Sequence, residues 1–184
     1  GVQVVFWYAG ALTRELFGVG ATKTALFLLQ VTVTAILGAL LTARVQDRVG
    51  ARNFLLGCTA FWTVAILAAA TATREPVFWA VGNALGLGIG AIGTASRAMA
   101  GLFSPAHKAA EFFGFYGLAH KLAAILGLGS LALAEWVFAG HLPSVAASGS
   151  LFFVAGFGLL WTVDERAGRM AALRAREKRG RESI

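Results

Sequence analysis

EFFGFYGLAHKLAAILGLG, residues Glu111–Gly129, decides how this chain folds. It opens with an acid and then stays apolar for most of a membrane thickness, apart from His120 and Lys121. A helix rises about 1.5 Å per residue, so Lys121 lies roughly 14 Å beyond Phe112, near the midplane of a ~30 Å hydrocarbon core. An ammonium at that depth costs on the order of several kcal/mol. Either it marks an ion or solute path with a partner close by, or it snorkels toward one interface. His120 beside it, and the half-core that a snorkelling lysine would have to span, favour the path.

Composition agrees with a membrane. Of 184 residues, 58% are hydrophobic and only 14% charged, against about 25% charged in a soluble domain. The mean hydropathy is +0.72. So much apolar sequence would overfill a soluble core, and the class is an all-α, polytopic membrane protein. The net charge of +7 does not call for nucleic acid, because seven of the sixteen basic residues lie in the last nineteen positions, beyond the final apolar run. That is the pattern of a cytoplasmic membrane tail. A single cysteine, Cys58, sits within an apolar run and reads as a small hydrophobe. The chain starts inside an apolar segment without methionine or a signal peptide, so it reads as a piece of a longer protein.

Five complete spans can be placed, with residues 1–10 as the end of a truncated sixth. They cover residues 24–43, 54–71, 77–97, a fourth beginning at Glu111, and 145–163. In the first, Gln30 must face a cavity or another helix, whereas Thr32 and Thr34 can bond back to the preceding turn. The charged turn RVQDRVGARN, Arg44–Asn53, offers Asp47 as a cap for the following helix and Gly50 for positive φ. Pro76 suits the start of the third complete span. Within that span Gly82, Gly86 and Gly90 recur every four residues, a stripe that lets two backbones approach in lipid. Asn83 beside it lines a path or makes an interhelical hydrogen bond. Pro105 ends this helix.

Orientation follows from basic residues. With the tail inside, Arg44, Arg48, Arg52, Arg97, Lys108 and seven tail residues make twelve inside, against Arg14, Lys23 and Arg74 outside. This bias puts the C-terminus in the cytoplasm. Residues 1–163 then form a six-helix transmembrane bundle and residues 164–184 a basic cytoplasmic tail.

Two stretches resemble a known family. GALLTARVQDRVGAR, Gly38–Arg52, is similar to the G-x-x-x-D-R-x-G-R turn of major facilitator superfamily transporters. Asp47, Arg48, Gly50 and Arg52 fit, while Ala43 takes the usual glycine position. SRAMAGLFSPAHKAAEFFGFYGLAHKLAAILG, residues 96–127, resembles the tenth and eleventh helices of the vacuolar amino-acid effluxer-like branch, with Leu128 where that branch has proline. Gly1-Val2-Gln3 resembles part of its seventh helix. The resemblance implies the C-terminal six-helix half of the fold, two inverted three-helix repeats over 1–71 and 76–163. It also implies a secondary transporter moving a small polar solute, such as an amino acid, by proton-coupled alternating access across a bacterial cell membrane. Gln3, Tyr8, Gln30, Asn83, Tyr116, His120 and Lys121 would line the path. Asp47, Arg48, Arg52, Arg97 and Glu111 would form a cytoplasmic gate network. The acid paired with Lys121 is expected upstream of Gly1, and the other half of the site in a missing N-terminal half or a second copy.

The resemblance calls for no cofactor or metal. One alternative is a self-contained six-helix carrier or channel acting as a homodimer. Another is an intramembrane serine protease, for which Ser96, His120 and His141 are the candidates, but no G-x-S-G surrounds any serine and the enzyme reading is set aside.

Overall fold

A computed structural model describes residues 20–71, 74–139 and 141–182. Those residues form an all-α fold of helices α1 (Ala21–Val49), α2 (Ala51–Ala70), α3 (Glu75–Phe103), α4 (Ala109–Val137), α5 (Leu142–Ser148), α6 (Ser150–Thr162) and α7 (Glu165–Glu182). A 3-10 turn, Ala106–Lys108, links α3 to α4. Helices α1 to α4 are each long and apolar enough to cross a membrane. Helix α6 alone is short, but α5 and α6 join at Gly149, whose angles remain helical, and residues 142–162 together rise about 31 Å. The truncated helix expected over residues 1–10 lies outside the described residues.

The spans run further than their apolar cores. Helix α1 continues through Arg44 and Arg48 to Val49, and α3 continues past Arg97 to Phe103. Arg, Gln and Ala are good helix formers, and water or headgroups solvate charge once the helix leaves hydrocarbon, so polarity alone does not end it. The charged turn is therefore a corner of one residue. Gly50 sits at φ 87°, ψ 149°, a conformation essentially reserved for glycine. At the end of α3 the constraint is Pro105, which holds Ser104 extended at ψ 120°. Asp47 does not cap α2. It lies in the last turn of α1, and Gly50 occupies the N-cap position of the next helix.

Helix α3 is the hub. On one side its glycines receive α1: a Cβ on Gly82 would stand 2.3 Å from the Phe27 ring, and one on Gly90 would stand 1.8 Å from the Ala35 carbonyl oxygen. A Cβ on Gly86 would meet Thr34 Oγ1 at 2.3 Å. The fit is reciprocal, since a Cβ on Gly38 of α1 would fall 2.0 Å from the Leu87 carbonyl oxygen. Among lipid tails nothing drives helices together by expelling water, so this backbone approach is what supplies dispersion contact. On the other side Gly88 accepts Trp62 of α2, which is fully buried and stacked on Phe153 of α6 at 5.0 Å.

Three buried clusters run along the bundle. One end holds Phe27, Val31, Phe78, Ala134 and Val145, the middle Trp62, Ile66, Leu85 and Phe153, and the other end Ala51, Leu55, Ala95 and Met99. The last also gathers Phe103, Leu160 and Val163. The α1–α2 corner, the α3–α4 turn and the tail thus share one end of an up-and-down bundle. Thr24, Thr32, Thr34 and Thr42 each return their hydroxyl to a carbonyl three or four residues back, so α1 carries no unpaired hydroxyl among them.

Helix α4 is the exception to this packing. It runs unbroken through Gly127, Leu128 and Gly129, yet only Gly127 and Ala134 on it are buried. Among the described residues it leans on the bundle near its two ends and stands clear between them.

Candidate functional site

Tyr116 is where α4 is tied to α3. Its hydroxyl and that of Ser96 lie 2.9 Å apart, and Ser96 also approaches the Gly93 carbonyl at 3.3 Å. With the Ser96 proton on that carbonyl, Tyr116 is the donor in the pair. One turn further along α4, the His120 ring stacks on Tyr116 with centroids 6.5 Å apart. The i, i+4 spacing puts the two rings on one face. Ser96, Tyr116 and His120 therefore form a short polar ladder from inside the bundle to the open side of α4. Its hydroxyl and imidazole groups can each donate and accept a proton.

His120 and Lys121 are both exposed, and neither makes a hydrogen bond or ion pair with another described residue. No residue of α4 between Tyr116 and Gly127 is buried. Gln30 is likewise exposed, on α1. Asn83 is half-buried, and its bond is not interhelical: Nδ2 donates to the Trp79 carbonyl of its own helix at 2.9 Å. Its Oδ1 is buried without a partner among the described residues. Gln3 and Tyr8 lie outside the described residues.

The expected gate residues do not come together as one network. Asp47, Arg48 and Arg97 are exposed, and among the described residues the ion pair formed is Lys108–Glu111, at 4.0 Å and on the surface. Such a pair contributes little. Glu111 is nonetheless in the first turn of α4, where a carboxylate complements the helix dipole.

Arg52 is different. Its Nε donates to the Leu160 carbonyl at 3.2 Å and its Nη2 donates to that of Trp161, while the guanidinium lies 5.9 Å from the Trp161 ring centroid. These are end carbonyls of α6, which a cation satisfies and whose dipole it complements. In return the Glu165 carboxylate, at the start of α7, accepts from the Arg52 amide at 2.9 Å and so caps α2. Asp164 caps α7 by accepting from the amides of Arg166 and Ala167 at 2.9 and 3.0 Å. The tail is thus locked to the α1–α2 corner. The sequence reading missed Glu165, whose only visible signal was an acidic pair between the last span and the basic run.

Residues 1–173 match the family described as vacuole effluxer Atg22 like. The chain belongs to that family. Its members are transporters of the major facilitator type, so this effluxer-like chain is an integral membrane protein with a role in transmembrane transport. No curated protein and no solved structure matches it.

Proposed function

We propose that the chain supplies the C-terminal half of a secondary transporter for a small polar solute, with amino acids the favoured class and proton coupling the favoured drive. The observation that carries this reading is the open face of α4. His120 and Lys121 stand mid-helix on a surface that no described helix covers, while both ends of α4 are held by the bundle. A cation held at membrane depth against lipid is expensive, so the face is expected to meet protein and water. A second six-helix bundle facing it would enclose a midplane site, and rocking of one bundle on the other would give alternating access. In that arrangement Lys121 pairs with an acid of the facing bundle or with the anionic end of the solute. Ser96, Tyr116 and His120 would pass protons toward it. The family favours a carrier over an enzyme.

The positive-inside count supports a cytoplasmic tail, and a bacterial cell membrane is the setting proposed for it. The same α4 face would serve a second copy of the chain if the working unit were a homodimer.

The test is uptake or efflux of radiolabelled amino acids by proteoliposomes containing the full-length protein. Lys121→Ala is expected to abolish solute movement with insertion and helicity unchanged. Wild-type flux in that variant would make Lys121 a bystander and remove the reading's main support.

A further inference from the structure

We propose that the polar cavity at the joint between α6 and α7 binds the phosphate of an anionic lipid headgroup. The cavity measures about 700 Å³ and is lined by Arg52, Asn53, Asp164, Glu165, Arg166 and Arg169, with Trp161 at its edge. Its two carboxylates are already engaged with backbone: Asp164 caps α7 and Glu165 accepts from the Arg52 amide. The Arg52 guanidinium is held by the α6 carbonyls and adds its positive charge. The guanidinium groups of Arg166 and Arg169 have no partner among the described residues, and their i, i+3 spacing puts them on one side of α7. Three arginines against two carboxylates leave the lining with a net charge of +1, and its side-chain donors without a partner among the described residues include the planar guanidinium groups of Arg166 and Arg169, suited to phosphate oxygens.

Position selects the lipid. The cavity opens directly after the last apolar run, at the level where Trp161 belongs in a headgroup belt. Leu159 and Trp161 are 71% and 64% exposed just inside it, giving acyl chains a surface beside α6. A juxtamembrane cluster of arginines attracts anionic lipid. The inference is independent of which solute the protein carries.

Native mass spectrometry of the delipidated full chain tests it, with phosphatidylglycerol, phosphatidylcholine and inorganic phosphate as probes. Phosphatidylglycerol is expected to bind in preference to phosphatidylcholine. The double variant Arg166→Ala, Arg169→Ala should weaken it by about fivefold per arginine, roughly twenty-five-fold in all. Arg166→Lys with Arg169→Lys, which keeps both charges, should recover most of that loss. Neither guanidinium holds the fold together, so unchanged circular dichroism is expected throughout. Equal binding of both lipids, or equal phosphatidylglycerol binding by wild type and the alanine variant, would overturn the proposal. Displacement of phosphatidylglycerol by millimolar inorganic phosphate would overturn the lipid assignment and make this a site for the free anion.

Discussion

Arg52 and Glu165, 113 positions apart, are joined by a 2.9 Å hydrogen bond from the amide of one to the carboxylate of the other. That bond caps α2 with a residue of the tail, while the Arg52 side chain caps α6. Each of two helix ends is thereby satisfied by the other's neighbour, and α7 is held against the bundle. Gly168 adds to this by lying against Phe103 of α3, too close for a Cβ, which would stand 2.7 Å from the ring.

Removing the cap should loosen the tail. Glu165→Ala is expected to weaken the docking of α7 by about 1 kcal/mol, the usual worth of a lost cap. Limited trypsin digestion at Arg166 and Arg169 should then speed up about fivefold. An unchanged cleavage rate would mean the bond contributes nothing to holding α7.

Gly50→Ala should be costly although the site has room. The nearest atom to an added Cβ is Glu165 Oε2 at 3.5 Å, an ordinary contact. The penalty comes from φ 87° alone and is expected to be about 1–3 kcal/mol. Thermal unfolding in detergent should show it as a lowered midpoint.

The α1–α3 approach allows a controlled comparison. Gly90→Ala places a methyl 1.8 Å from a carbonyl oxygen, so the helices must separate, at a cost of about 1–3 kcal/mol. Gly57→Ala on α2 meets nothing within 4 Å and should be neutral or stabilising by up to about 1 kcal/mol. Similar midpoints for the two variants would contradict the close packing.

Ser96 and Tyr116 should prove coupled. Tyr116→Phe and Ser96→Ala each remove one side of the 2.9 Å contact, and a double-mutant cycle on unfolding should return a coupling of about 1 kcal/mol. Strict additivity would mean the hydroxyls do not bond.

Much of this architecture was legible in the sequence. Apolar runs located the spans, the four-residue glycine spacing marked α3 as the close-packed helix, and Gly50 announced the corner. Helix ends were less legible: the charged residues around Arg44 and Arg97 look like loop but continue as helix once outside hydrocarbon. Contacts between distant segments were not legible. Nothing local in Asp164-Glu165 points to Arg52, and Ser96 meets Tyr116 only because the turn at Pro105 folds α4 back beside α3. The Asp47 cap failed for a related reason. Its position relative to the corner, not its chemistry, leaves it at the negative end of the α1 dipole.

The transport reading rests on Lys121 facing a water-filled path, and cysteine labelling tests that most directly. In a Cys58→Ala background, Lys121→Cys of the full-length protein in membranes should react with a charged, water-soluble methanethiosulfonate reagent, as should a cysteine at His120. Leu126→Cys on the same helix, 67% exposed and five residues further, gives the comparison for depth. Reaction at position 121, slowed by the transported solute, is the result expected. A cysteine there that stays unreactive while the protein remains folded and inserted would place it against lipid and contradict the account.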